Sequence, residues 1–308
     1  MNTEVFLKVV FAVIETFVFF ALGGFAVERK MIDQPALKGF SRFAINVLTP
    51  FMVFSSIAGK FTREDLSTAW IYPVLGISMM AFHAILGFGL CPFMRHRTPA
   101  RRAAFLHMAA INNFLYLPII IIGYLFPGKT VAALLFCSVG STFGQWTIGI
   151  AVMSLGDVKK LLRNLVSANS LAVVAAVIYI LMPWKLPESV IDLTGKIGAL
   201  SIPLILVLIG ASVWASRSKW TEHLYDLFYT TFTRIILIPV LTLILLRFIP
   251  LPEEARNIAV VLAVMPASCG SVLIVSEYGG DSDFTGQIVL SSTLFGLITM
   301  PILLAFVL

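Results

Sequence analysis

Ten apolar segments, each long enough to cross a lipid bilayer, constrain this chain more than any other feature. About 20 mostly apolar helical residues span the hydrocarbon core of a membrane. The connections are short and no long hydrophilic insertion occurs, so the sequence predicts an all-α polytopic membrane protein without a separate soluble domain. The predicted spans, numbered 1 to 10, are roughly Val5–Val27, Ala36–Ile57, Ala69–Phe93, Ala103–Leu125, Thr130–Ser154, Asn164–Met182, Gly195–Ala215, Phe228–Ile249, Arg256–Tyr278 and Phe284–Val307.

The distribution of basic residues predicts how the chain is oriented. Fourteen of the 22 lysines and arginines lie in the loops after the odd-numbered spans or at the adjoining helix ends. The positive-inside rule then places both termini on the non-cytoplasmic side. Segment 1 is too long for a signal-peptide core, so we interpret it as a retained span of a multi-pass membrane protein. Arg234, near the cytoplasmic end of span 8, is expected to snorkel to the interface, and an electrostatic contact to an anionic substrate is the alternative.

Spans 4 and 9 are interrupted near their middles. The first interruption runs from Ala110 to Pro118 and the second from Val264 to Ser271. A proline removes a backbone donor and clashes with the carbonyl one turn earlier, and freed backbone groups are tolerated in a membrane only where protein or a water-lined cavity satisfies them. Paired interruptions in corresponding segments are typical of a transport site.

Short similarities in the same order suggest that the two halves of the chain repeat. Span 2 carries Pro50–Ala58 and span 7 carries Pro203–Ala211, while spans 5 and 10 contain Ser-Thr pairs at 141–142 and 292–293. Five spans per half is an odd number, so the second half enters the membrane from the opposite side, which is an inverted-topology repeat. The predicted divisions are a first five-helix repeat at 1–154, a short cytoplasmic linker at 155–163 and a second repeat at 164–308.

Polar residues near the bilayer centre are costly and are expected to face the protein interior or a watery cavity. Asn112 and Asn113 precede Pro118 and offer amide donors close to a half-helix N terminus, an arrangement that suits a carboxylate. Interhelical hydrogen bonding is the alternative role for these amides. The predicted substrate-binding residues are Asn112, Asn113, Pro118, Pro266, Ala267, Ser268, Gly270 and Ser271. The predicted accessory polar residues are Asn46, Ser141, Thr142, Gln145, Ser292 and Thr293.

Two titratable residues are candidates for coupling. Glu15 is the only acid deep in a predicted span, and His83 lies at a similar depth and titrates near physiological pH. A Glu15–His83 pair is one arrangement, and separate structural roles in which each bonds a neighbour are the alternative. Gly140 and Gly144 in span 5 match the small-xxx-small pattern of helix packing.

The interrupted segments and the last helix resemble the auxin efflux carrier (PIN-like) family, and the resemblance covers all ten spans. Its most specific parts are Asn113–Pro118, Met265–Ser271 with the following Glu277-Tyr278-Gly279, and the closing run Ser291–Pro301. Many relatives carry Asn four residues after the span 9 proline, where this chain has Gly270. The short connection between spans 5 and 6 is similar to bacterial members rather than to the long-loop plant carriers.

The resemblance implies a fold like that of the bile-acid sodium symporters, with scaffold and transport subdomains each built from both repeats. It implies that spans 4 and 9 cross at Pro118 and Pro266, with the anion held beside the crossing and moved by an elevator-like shift. It also implies a homodimer. Plant members export indole-3-acetate, and bacterial members are associated with small carboxylates such as malate and malonate.

The sequence and the resemblance together therefore predict a secondary transporter of small organic anions in the inner membrane of a prokaryote. The anions expected are mono- or dicarboxylates or auxin-like aromatic acids. A sodium-coupled symporter of the bile-acid type and an anion channel are the alternatives. The partners expected are the anion and the lipid bilayer, with no nucleic acid. No cofactor or metal site is expected, and the coupling ion, if any, is H⁺ or Na⁺. No H-E-x-x-H or G-x-S-x-G motif is present, so an enzyme is not predicted.

Overall fold

The computed structural model describes residues 3–153, 168–215, 224–268 and 270–308. The described parts are helical apart from turns, loops and one isolated β-bridge. The predicted linker at 155–163 lies outside the described residues. The α-helices, numbered along the described chain, are α1 (Thr3–Glu28), α2 (Gln34–Phe43), α3 (Thr49–Ala58), α4 (Ile71–Leu90), α5 (Pro99–Ala110), α6 (Tyr116–Leu125), α7 (Lys129–Ala151), α8 (Ala168–Leu181), α9 (Glu188–Ala199), α10 (Ser201–Ala215), α11 (Leu224–Phe232), α12 (Ile238–Leu246), α13 (Glu253–Ala263), α14 (Ser271–Glu277) and α15 (Ser282–Val307).

Length and hydropathy confirm a helical polytopic membrane protein. Within the described ranges, six helical stretches are long and apolar enough to cross a bilayer. The stretches are Pro35–Ala58, Asp65–Phe93, Lys129–Ala151, Glu188–Ser212, Leu224–Leu246 and Ser282–Val307. The ten-span count and the inverted repeat stay predictions.

The predicted interruptions of spans 4 and 9 are present as breaks between pairs of short helices. Span 4 consists of α5 and α6, which are separated by residues 111–115, and span 9 consists of α13 and α14, separated by residues 264–270. Pro118 does not form the first break, because it lies in the opening turn of α6. Proline is tolerated there, since the first N–H groups of a helix have no intrahelical partner.

Two π turns join consecutive α-helices without ending the span. One covers Ala44–Leu48 between α2 and α3, and the other covers Thr233–Leu237 between α11 and α12. Each is followed within two residues by a proline, Pro50 or Pro239. The proline ring excludes the normal bond to the carbonyl four residues earlier, and the preceding N–H instead bonds five residues back.

Glycines allow several helices to pack backbone against backbone. A methyl group added at Gly140 on α7 would meet the carbonyl of Pro73 on α4, and one at Gly144 would meet Met80. This confirms the packing role predicted for the Gly140–Gly144 motif. Gly23 on α1 approaches the backbone of Val207 on α10 in the same way. Helix α3 packs against α8 and α9, so the helices of the two halves are interleaved.

Candidate functional site

The two interruptions contact each other at the centre of the structure. Asn112 and Ala267 form an isolated antiparallel β-bridge, and the Asn113 backbone N–H donates to the Pro266 carbonyl at 2.8 Å. The Ala267 N–H donates to Ser292 Oγ on α15 at 3.3 Å. Backbone groups that lack helical partners are thus satisfied across the contact, as a break inside a membrane requires.

The neighbouring asparagines have different environments. Asn112 is 3% exposed, and its Nδ2 donates to the Leu262 carbonyl at the C-terminal end of α13, 2.6 Å away. Asn113 is half-buried, and its side-chain oxygen accepts only a long 3.5 Å bond from the Leu115 N–H. The Asn112 amide therefore stabilises the contact between the interruptions, whereas the Asn113 amide remains accessible.

Helix α6 begins beside Asn113 without a side-chain cap. The first N–H groups of a helix lack intrahelical partners and carry partial positive charge, and at this end Pro118 contributes no N–H. The accessible amide and the uncapped helix end together offer hydrogen-bond donors to an anion.

The second interruption offers backbone and small polar groups. Pro266 and Ala267 are buried in the contact, Ser268 is half-buried, and Gly270 is exposed. Ser271 is fully buried at the start of α14. Cys269 lies outside the described residues. Of the predicted residues in this segment, Ser268 and Gly270 therefore remain accessible.

His107 on α5 connects its own helix to α7 and α14 near the contact. Its Nδ1–H donates to the Gly149 carbonyl on α7 at 2.8 Å, which leaves Nε2 as an acceptor for the Ser271 hydroxyl at 3.2 Å. The histidine is 0% exposed. Because this bond commits its hydroxyl, Ser271 has a structural partner in the described chain.

Arg234 is fully buried at the contact, so the prediction that it snorkels to the interface is wrong. Its Nη1 donates to the Ala109 carbonyl at 2.9 Å, and its Nη2 and Nε donate to the Met265 carbonyl at 3.0 and 3.2 Å. Ala109 is the penultimate residue of α5, and Met265 lies two residues after the last residue of α13. The guanidinium thus bridges the C-terminal ends of two half-helices.

A family model described as membrane transport protein, representing the auxin efflux carrier or PIN-like transporters, matches residues 8–160 and again residues 156–304. The chain belongs to this family. No curated protein matches the chain significantly. Membership makes the protein a multi-pass membrane transporter, and a transporter family is consistent with the prediction that the chain is not an enzyme.

Three of the six predicted accessory polar residues of this transporter, Thr142, Ser292 and Thr293, donate hydrogen bonds within their own helices. Thr142 donates to the Ser138 carbonyl and Thr293 to the Val289 carbonyl. Ser141 is buried where α7 meets Gly76 of α4. Asn46 is exposed in the first π turn, and Gln145 is half-buried on α7. Ser292 is the accessory residue with a direct contact to an interruption.

Glu15 and His83 of the transporter do not form a pair. Glu15 is exposed on α1 and accepts a 2.6 Å hydrogen bond from the Tyr124 hydroxyl on α6. His83 is 0% exposed and donates from Nε2 to Thr242 Oγ1 at 3.1 Å, because the Thr242 hydroxyl itself donates to the Ile238 carbonyl. The Nδ1 atom of His83 has no partner in the described structure.

One cavity of the transporter lies away from the interruptions. Its volume is about 540 Å³, and it lies between the C-terminal ends of α3 and α8. Its lining includes Phe61, Arg63, Tyr179 and Lys185 and no residue of either break. This cavity is therefore separate from the candidate site at the contact of the interruptions.

Proposed function

We propose that this transporter carries small organic anions, with the carboxylate bound beside the contact between the two interruptions. One observation carries the proposal: the contact leaves the Asn113 amide accessible next to the uncapped N terminus of α6. Hydrogen bonds to a charged group are stronger than those between neutral groups, so a carboxylate gains more here than a neutral solute does.

The electrostatics of the contact favour an anion over a cation. The partial negative charges at the ends of α5 and α13 are compensated by the Arg234 guanidinium. The partial positive charge at the start of α6 has no acidic side-chain cap. The neighbourhood of Asn113 is therefore electropositive without a bound ligand.

The movement that we propose is elevator-type alternating access in a protein of two inverted five-helix repeats. Two features support the repeat. The family model matches two consecutive stretches of similar length, and equivalent helices pack alike: α1 of span 1 packs on α10 of span 7, and α8 of span 6 packs on α3 of span 2. Under this proposal α1, α3, α8 and α10 belong to the scaffold, and the interrupted segments belong to the moving part.

The test is transport in proteoliposomes with a panel of mono- and dicarboxylates and with imposed proton and sodium gradients. We expect saturable uptake with counterflow, which a channel does not show. Asn113→Ala is expected to weaken uptake, while Asn257→Ala, a matched amide removal in the N-terminal half of α13, is expected to leave uptake unchanged. Uptake of carboxylates that is equal in both variants and the wild type would overturn the proposed site.

A further inference from the structure

At the contact between the interruptions, two backbone carbonyl groups face a buried positive charge. The carbonyls of Ala109 and Met265 come from segments separated by more than 150 residues, and both accept from the same guanidinium. Each lies at a helix C terminus, where the aligned peptide dipoles leave about half of a negative charge. The two ends together balance the single positive charge of Arg234.

No carboxylate of the described chain pairs with Arg234, although its side chain is 0% exposed. A buried charge is tolerated only when other groups replace its lost hydration. Here the backbone carbonyls provide that replacement. The three hydrogen bonds fit the planar fork of a guanidinium, which presents several donors in fixed directions.

In secondary transporters, unwound carbonyls and half-helix C termini commonly coordinate a diffusible cation. In this chain such carbonyls are already occupied by a covalently attached group. We propose that Arg234 is a tethered cation: its guanidinium fills a carbonyl-lined cation site between the two interruptions and fixes their relative position.

This role rests on the proposed function only where it concerns the anion site. Met265, which accepts from Arg234, is followed by Pro266, which accepts from the Asn113 N–H. Arg234 therefore acts on Asn113 through one stretch of backbone and is a positioning residue. The cation site itself exists whatever the transporter carries.

The decisive variant is Arg234→Ala, which removes the tethered group and leaves the carbonyls without it. We expect purified Arg234→Ala to melt at a lower temperature than the wild type and to be stabilised by added guanidinium chloride at low concentration. Tetramethylammonium chloride at the same ionic strength should not stabilise it. Arg247→Ala removes an exposed arginine from the end of α12, and neither salt should stabilise that control or the wild type.

A second readout tests positioning rather than stability. Arg234→Lys keeps the charge, but a compact ammonium does not reproduce the planar fork that reaches both carbonyls. We expect its apparent affinity for the transported carboxylate to fall about tenfold, the equivalent of one hydrogen bond to a charged group. Guanidinium added to Arg234→Ala should restore affinity together with stability.

Hydrogen exchange keeps the proposal testable if Arg234→Ala does not fold. In Arg234→Lys, exchange should rise in both 111–115 and 264–268, because one cation holds both segments. A rise confined to one segment, or no rise, would overturn the proposal, as would an absence of selective guanidinium stabilisation. If guanidinium rescue occurs but the wild type binds no carboxylate, the proposed function fails and the tethered cation stands.

Discussion

The different environments of Asn112 and Asn113 predict that replacing each with alanine has a separable effect. Asn112→Ala removes a 2.6 Å bond and leaves the buried Leu262 carbonyl without its side-chain donor. The Leu262 carbonyl keeps a 3.3 Å bond from the Met265 N–H, so Asn112→Ala is expected to lower the unfolding free energy by about 0.5–1.5 kcal/mol, the net contribution of one hydrogen bond. Asn113→Ala removes a half-buried amide whose oxygen accepts only a 3.5 Å bond from the Leu115 N–H. This variant is expected to lower the unfolding free energy by less than about 0.5 kcal/mol.

The order is reversed for substrate binding. A hydrogen bond to a charged group contributes about 1.5–3 kcal/mol, so Asn113→Ala is expected to weaken carboxylate binding roughly 10- to 100-fold. Asn112→Ala, measured at a temperature where it remains folded, should bind with nearly wild-type affinity. The assay is thermal unfolding of the purified protein in detergent, with and without each carboxylate, followed by uptake in proteoliposomes.

The reasoning is refuted if the two variants behave alike. Equal losses of stability would mean that the Asn112 bond to α13 contributes no more to stability than the accessible Asn113 amide. Unchanged carboxylate affinity in Asn113→Ala and in the double variant would mean that neither amide contacts the anion. Asn257→Ala controls for the general effect of removing an amide from these segments.

Three further predictions concern packing and the polar contacts around the site. Gly140→Ala places a methyl group against the backbone of α4 and should lower the unfolding free energy by about 1–3 kcal/mol. Gly123→Ala is the control, because a methyl group there enters open space and should not destabilise the protein. Equal melting temperatures of the two variants would contradict the close approach of α7 to α4. Ser271→Ala should cost about 1 kcal/mol of stability without changing carboxylate affinity, and a selective loss of affinity would make Ser271 a ligand. Glu15→Gln and Tyr124→Phe should each lower the unfolding free energy by less than about 1 kcal/mol. The double variant should be no less stable than either single variant, because both substitutions remove the same hydrogen bond. Losses that add in the double variant would show that this bond does not contribute to stability.

Local chemistry explains what could be predicted from the sequence. The interruptions of spans 4 and 9 follow from proline and small residues within a few positions, and both are present as breaks. The exact place of the first break could not be read from Pro118, because proline disrupts a helix interior but fits its opening turn. The break therefore precedes the proline.

Long-range contacts explain what the sequence did not predict. Arg234 contacts Ala109, 125 positions earlier in the chain, and His107 contacts Ser271, 164 positions later. Ala109 carries no local pattern, because its partner atom is a backbone carbonyl, which every residue has, and no local spacing connects His107 with Ser271. Asp226, whose carboxylate accepts from the backbone N–H groups of Arg95 and His96, was missed for a different reason. The predicted span 8 begins at Phe228, whereas α11 begins at Leu224 and buries this acid completely.

The π turn that carries Arg234 also sets the angular phase of its span. Residues spaced by four advance about 40° beyond a full turn of an α-helix, so after five such steps they would lie roughly 200° apart, on opposite sides. One additional residue in the wide turn cancels about half of that drift. A single seam facing the interior thus runs through the whole span. Its members, all buried, are Asp226, Thr230, Arg234, Ile238, Thr242 and Leu246. Deleting one residue from the π turn would rotate the residues after it, including Thr242, away from His83. The hydropathy of the span would remain nearly the same.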